Sequence, residues 1–332
     1  MAFFISSLKE RLKKGNTMEA MEAYLLIIGA LFIIMLFGYF SMIFAFVLSF
    51  FQWDYLSPPE FVSIKNYLTI ITDLEKGFSG VYYLQAPFFT GLRNILVYTA
   101  FVVPTQTFLA VILATLANQK LRGTTFYKLV YFLPATTSAV IISLLFVWLF
   151  REQGFINYAI DTIGSTIWTI LPLEWLGFGP WLGFGPDWIY DRDYVIPAMA
   201  LVAIWGTSGH FTISYLAALQ SIPEGLYEAA VLDGAGRFKQ FRHITLPMLR
   251  PMTVYVLVMG IIGAIQMFDL AFVMGGGVGG GPGGMGYTVT MDIYKEAFIK
   301  LRVGLAAAKS FVLFIIIFGL TYAIQKKYQV FR

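Results

Sequence analysis

Few residues in this 332-residue chain have the types and spacing that chemistry requires. Cysteine is absent and the only histidines are His210 and His243. Disulfides, thiol chemistry and cysteine metal sites are therefore excluded, and no H-E-x-x-H pair can form. No Ser/His/Asp set stands out, and no G-x-x-x-x-G-K-[ST] phosphate loop occurs, so the chain is not an ATPase of that type. G-x-G-x-x-G is matched, as at 279–284, inside a run with nine glycines in the twelve positions 275–286. In so glycine-rich a run the match arises by chance, and it follows an apolar stretch rather than a strand. It reads as a flexible connection. Two inventories remain: a polar loop at 220–250 with strong helix punctuation, and scattered polar and aromatic groups inside long apolar runs.

The elements that carry these residues are set by composition. Charged residues make up 13% of the chain, against roughly 25% in soluble domains, and the mean hydropathy is +0.73. Too few charges are available to cover a soluble fold, and disorder needs the opposite balance. A spanning helix takes about 20 apolar residues, and six runs qualify: 24–51, 94–118, 129–150, 194–219, 251–274 and 303–325. The first is too long for a signal-peptide core and has no cleavage site. A shorter apolar stretch at 163–173 reads as lying on the membrane surface. Residues 1–23 form an N-terminal segment, and 24–332 a single all-α domain of six transmembrane helices.

Six spans put both termini on one side. The segments 1–23, 118–128, 220–250 and 326–332 hold 14 Lys/Arg, against 7 in the opposite segments, which also carry 12 acids. Positive charge concentrates in the cytoplasm, so both termini are expected there.

The 220–250 loop begins Ser221-Ile222-Pro223-Glu224. Ser221 with Glu224 three residues on reads as a capping box, which starts a short helix near Ile222 with Pro223 in its first turn. Gly234 and Gly236 suit positive φ and end it. A second helical stretch carries Phe238 and Phe241 on one face, and Pro247 and Pro251 break it before the fifth span. The small side chains of Ala229 and Ala230 permit close approach of another backbone. Read from physics alone, this is a surface helix bridging two spans, its basic residues on lipid phosphates.

Glu228-Ala229-Ala230, Asp233-Gly234-Ala235, Phe241, Ile244, Leu246-Pro247 and Pro251 closely resemble the EAA signature of permease subunits in bacterial ABC importers. In that family the loop is the coupling helix, seated in a groove of a separate ATP-hydrolysing subunit. Leu216 to Pro223, Phe268-Asp269 before the glycine run, Tyr294, Ala297-Phe298 and Gly304 to Ala308 look like its sugar-permease branch, the maltose-type importers. The resemblance runs from about Ile95 to the C-terminus. It implies a type I ABC importer permease fold in the inner (cytoplasmic) membrane of a bacterium or archaeon. The chain would bind no cofactor and would not be an enzyme, ATP and magnesium being used by two partner ATPase subunits. It also implies a second homologous permease and a periplasmic or lipid-anchored solute-binding protein, with no nucleic acid. Glu228, Ala229, Ala230, Asp233, Gly234, Phe241, Leu246 and Pro247 would carry the coupling.

For the solute path the fourth span offers Trp205, Thr207, Ser208, His210 and Thr212, and the fifth offers Tyr255, Met259 and Gln266 close to one face. Hydroxyls, amides and aromatic faces suit a sugar or polyol. Any one of these positions is better accounted for by helix packing; as a set they modestly favour a polar path. The expected function is ATP-driven, binding-protein-dependent import of a sugar or sugar-like solute by alternating access. The rival solutes are a glycerol phosphate or a glycosylated osmolyte. The rival class is a six-span secondary carrier, against which the lack of embedded carboxylates counts.

Asp269 and Lys309 are the only ionised groups well inside the apolar runs, and they are expected to pair or to snorkel outward. The tandem repeat Trp175-Leu176-Gly177-Phe178-Gly179-Pro180 and Trp181-Leu182-Gly183-Phe184-Gly185-Pro186 reads as a duplication resting its tryptophans at the interface. A docking surface is the sharper alternative.

Overall fold

A computed structural model describes residues 17–78, 86–119, 124–170 and 186–328. The tandem repeat, apart from Pro186, lies outside them. Where the sequence is apolar, the described chain is helical, and hydrogen bonding closes within each segment as a bilayer demands.

Helix α1 starts at Thr17 and runs through a π-helical stretch, Ile34–Phe40, to Leu48. Its apolar length, Ala23–Leu48, buries nothing along its sides. It meets the rest at its end, where the Phe46 and Phe311 rings lie 4.6 Å apart. A short antiparallel hairpin follows, β1 (Phe51–Gln52) and β2 (Glu60–Phe61), pairing Phe51 with Phe61 and Gln52 with Glu60. Then comes the amphipathic α2 (Lys65–Phe78). Asp73 on α2 caps the next helix, α3 (Pro87–Ala117), accepting from the Phe89 amide at 2.9 Å.

The third apolar run is not one straight rod. Its first arm, α4 (Thr124–Phe132) with the 3₁₀ turn Pro134–Thr136, meets the second, α5 (Ala139–Leu149), at 105°, the chain being extended at Thr137 between them. Proline in that turn has no amide to continue the ladder. Helix α6 (Phe155–Ile170) starts before the expected surface stretch and includes most of it; residues 171–173 are not among those described. Helix α7 (Val195–Gln220) is the main partner of α3. The loop helix α8 (Glu224–Leu232) and a stretch α9 (Arg237–Met248) then lead into α10 (Arg250–Ile265), bent 63° from α9. The expected fifth span therefore stops at Ile265, and its tail is a separate helix, α11 (Asp269–Met274). Helix α12 (Val289–Tyr294) continues as a π turn, Lys295–Ile299, before α13 (Val303–Tyr328). Among the described residues four helices are long and apolar enough to cross alone, and up to six spans result if each of the two bent pairs is one span.

The glycine run is not slack. Gly280 has φ +70°, and a Cβ there would come within 2.5 Å of the Tyr287 amide nitrogen, so only glycine lets the turn close onto α12. The main core joins α3, α7, α10, α11, α12 and α13. A second cluster, with Ala110, Ala114, Tyr215, Leu219, Leu249 and Val256, lies under the α8–α9 loop.

Candidate functional site

Two places gather the residues that the sequence singles out. The first is a cavity of about 390 Å³ bounded by α3, the 3₁₀ turn, α7, α10 and the start of α11. Gln106 of α3 is 2% exposed in it, and its Oε1 accepts from the Thr207 hydroxyl at 2.5 Å. Met259, Gln266, Phe268 and Asp269 complete the wall. A buried amide held by a hydroxyl, a second amide and an aromatic edge can exchange hydrogen bonds with a neutral polar solute in place of water.

Of the eight path residues that the sequence offers, Thr207, Met259 and Gln266 line this cavity. Trp205 and Ser208 face a separate, apolar groove of about 600 Å³ with Phe101 and Tyr131. Thr212 is buried and donates to the Ser208 carbonyl at 2.7 Å, so its hydroxyl is satisfied within its own helix. Tyr255 is exposed and lines none of the described cavities. The residue the sequence reading missed is Gln106, whose signal was an amide inside an otherwise apolar helix.

The expected Asp269–Lys309 pair does not form. Lys309 Nζ lies 2.5 Å from Asp292 and 3.3 Å from Glu296, all three buried. Asp269 opens α11 beside the cavity and makes no ion pair among the described residues. The connection between the fifth and sixth apolar runs is not a bare loop: its helix α12 packs into the core, with Val289, Met291 and Asp292 fully buried. Glu296 also takes Lys300 at 2.9 Å and Arg302 at 2.5 Å.

The second place is the α8 loop. Pro223, not Ser221, is its N-cap residue, and no side chain caps it. The Ser221 hydroxyl donates back to the Ala218 carbonyl at 2.8 Å, so the capping box does not form. At the other end Gly234 has φ +72°. The Ala235 amide reaches the Ala230 carbonyl at 2.8 Å, and the Gly234 amide the Val231 carbonyl at 3.0 Å. This is a Schellman closure. Gly236, at φ −67°, does not use the left-handed region. The stretch after it ends at Met248 and the chain bends at Leu249, between Pro247 and Pro251, where the break was expected.

The Tyr227 hydroxyl bonds Thr245 at 2.9 Å and fixes α8 on α9. Glu228, Ala229, Asp233, Leu246 and Pro247 are exposed, and Ala230 and Phe241 half-buried. Beside them Leu232 is 89% exposed and Phe238 75%. An apolar, small-residue helix held rigidly on the core but covered by nothing is a surface built for a partner.

Residues 106–329 match the family described as binding-protein-dependent transport system inner membrane component. The chain belongs to this family. The permease is 31% identical over 310 residues to the probable ABC transporter permease protein YurN of Bacillus subtilis (strain 168), covering 92% of this chain and 95% of that one. It is 33% identical over 276 residues to the arabinooligosaccharides transport system permease protein AraP of the same organism, covering 82% of each. Its fold matches a permease chain in the crystal structure of a bacterial ABC transporter involved in the import of the acidic polysaccharide alginate. There the TM-score is 0.71 at 19% identity, over 98% of this chain and 99% of that one. The permease fold of type I ABC importers thus replaces the secondary-carrier alternative. The permease is a multi-pass transport subunit of the inner membrane that works with a solute-binding protein.

Proposed function

We propose that the permease carries a neutral sugar or oligosaccharide through the cavity beside Gln106, by alternating access. The observation that supports this reading most is the Thr207–Gln106 hydrogen bond at 2.5 Å in a cavity that holds a single acid, Asp269, and no basic side chain. Such a lining suits hydroxyls better than a phosphate, which calls for arginine or lysine. The likeness to an arabinooligosaccharide permease agrees.

Two ATPase subunits drive the cycle, with ATP and magnesium held there and no cofactor in this chain. The α8 helix docks on one of them, Ala229 and Ala230 at closest approach and Glu228 offered to a basic group. A second permease completes the path, and both termini lie in the cytoplasm, where the basic residues concentrate. Uptake by proteoliposomes containing the complete importer tests the reading, using labelled neutral oligosaccharides, a glycerol phosphate and a glycosylated osmolyte. Saturable, ATP-dependent uptake of a neutral saccharide is expected. Uptake of the glycerol phosphate alone would overturn the solute class.

A further inference from the structure

A second cavity, of about 310 Å³, lies between the β1–β2 hairpin, the start of α2 and the α12–α13 connection. It is separate from the Gln106 cavity and shares no residue with it. Its size falls within the range of small-molecule sites. Trp53, Asp54, Glu60, Lys65, Asn66 and Arg302 are among its walls.

The walls are held firmly. The Val303 amide donates to the Trp53 carbonyl at 3.0 Å. The Asn66 amide nitrogen donates to the carbonyls of Ser49 and Phe51, at 2.9 and 3.0 Å. Among the described residues, the non-glycines with positive φ are Tyr55, Ser63 and Leu301, at 67°, 53° and 55°. Leu301 lines this cavity, Tyr55 follows its wall residue Asp54, and Ser63 stands two positions before its wall residue Lys65. Such backbone strain persists only where the surroundings over-determine it, and it gathers at ligand clamps.

The chemistry of the walls selects the ligand. Lys300 and Arg302 are already committed to Glu296. What remains is two acids, Asp54 and Glu60, against one base, Lys65, a mixture with no strong preference for an ion of either sign. Asp54 accepts three hydrogen bonds from Leu56 and Ser57, all on Oδ1, which leaves Oδ2 for another donor. Asn66 likewise keeps its carbonyl oxygen. Carboxylates and an amide oxygen accept from vicinal hydroxyls, and an indole covers the apolar face of a pyranose ring.

From this cavity a row of rings leads toward the first. Phe298, two residues before Lys300, lies 5.1 Å from Tyr294, and Tyr294 lies 5.2 Å from Phe268, which lines the Gln106 cavity. We propose that the hairpin cavity is a capture site for one ring of a neutral saccharide, which it hands along these aromatic faces to the membrane path. The proposal rests on the sugar reading above.

The test uses the complete importer in proteoliposomes at saturating binding protein. Trp53→Ala and Glu60→Gln should each raise the KM for saccharide uptake about tenfold, with the rate at saturating sugar retained and Trp53→Phe recovering most of the loss. Saturation-transfer NMR of the same sugar on the importer without binding protein should lose its signal in Glu60→Gln. Glu60 is exposed, so this variant keeps the fold even if Trp53→Ala does not assemble. If wild type carries the sugar and both variants keep its KM, the capture site is wrong and the sugar reading stands. If the KM for binding protein rises instead, the cavity is a docking surface and the proposal falls. If wild type carries no saccharide, both readings fall together.

Discussion

Lys309 of α13 reaches Asp292 of α12 at 2.5 Å, with the lysine 3% exposed and the aspartate fully buried. The Tyr287 hydroxyl donates to the other oxygen of Asp292 at 3.0 Å, so the aspartate is held from two sides. This pair fastens the connection between two helices that the sequence separates by a polar loop.

Removing one partner of a buried pair leaves the other charge uncompensated, at about 3–5 kcal/mol. Lys309→Met should therefore lower the melting temperature of the purified complex sharply. Adding Asp292→Asn should recover part of the loss. Exchanging the residues at 269 and 309 should recover nothing, and a rescue by that exchange would show that the pairing described is wrong.

Gly234→Val concerns coupling. At φ +72° a Cβ costs roughly 1 kcal/mol or more, although nothing lies within 4 Å to clash with it. The end of α8 should misdirect α9, and Ala229→Leu should wedge α8 off its partner. Both variants should insert normally and lose solute-stimulated ATP hydrolysis and uptake together. Stimulation left intact in both would reduce the loop to a surface bridge.

Gly260 touches the cavity. A Cβ there would sit 2.6 Å from Gln106 Nε2, so Gly260→Ala should turn the amide away from Thr207. Thr207→Val removes the same bond by another route. Each should raise the KM for uptake several-fold without changing the amount of complex assembled. Unaltered KM in both would remove Gln106 from the path.

Asp73 gives a pH signature. Burial, the largest influence on it, raises its carboxyl above the ordinary 3.8, partly offset by the Phe89 and Phe88 amides. A carboxyl raised in the folded state binds more protons there than when unfolded. Its stabilising contribution is therefore full below about pH 3.8 and is lost as pH rises through the folded value. Asp73→Asn keeps an acceptor for Phe89 without the charge and should match or exceed the parent at neutral pH. The parent should gain on it as the pH falls. Asp73→Ala should cost about 1 kcal/mol at any pH through the lost cap. Thermal melts from pH 4 to 8 decide it; a parent that loses ground on acidification would contradict the assignment.

The spans were legible because long stretches such as 24–51 carry no charge, a constraint that tertiary contacts do not override. The α8 turn was legible because a glycine after a short helix has one common use. The two bends were not. The residues around Pro134 and Leu249 stay apolar or helix-compatible on both sides, so hydropathy continues through the break. Ser221 failed as a cap because its hydroxyl found the Ala218 carbonyl, a competitor within the preceding helix that spacing cannot weigh. The partners of Lys309 were missed for a similar reason. Asp292 and Glu296 sit among polar residues, and only the fold shows that α12 turns back into the core. In the path, counting hydroxyls overstated polarity, since Thr212 satisfies itself and, of the polar residues named for the path, only Thr207 and Gln266 border the cavity.

The break after Thr136 has one more consequence. Where a helix turns through 105°, its ladder opens, and hydrocarbon offers nothing to close it. The Leu133 carbonyl accepts from the Thr136 amide and from the hydroxyls of Thr136 and Thr137, at 3.3, 2.9 and 3.0 Å. Pro134, Ala135 and Thr137 border the Gln106 cavity. The elbow thus closes an opened carbonyl on its own threonines, and it does so at the edge of the Gln106 cavity, where irregular backbone can stand at membrane depth.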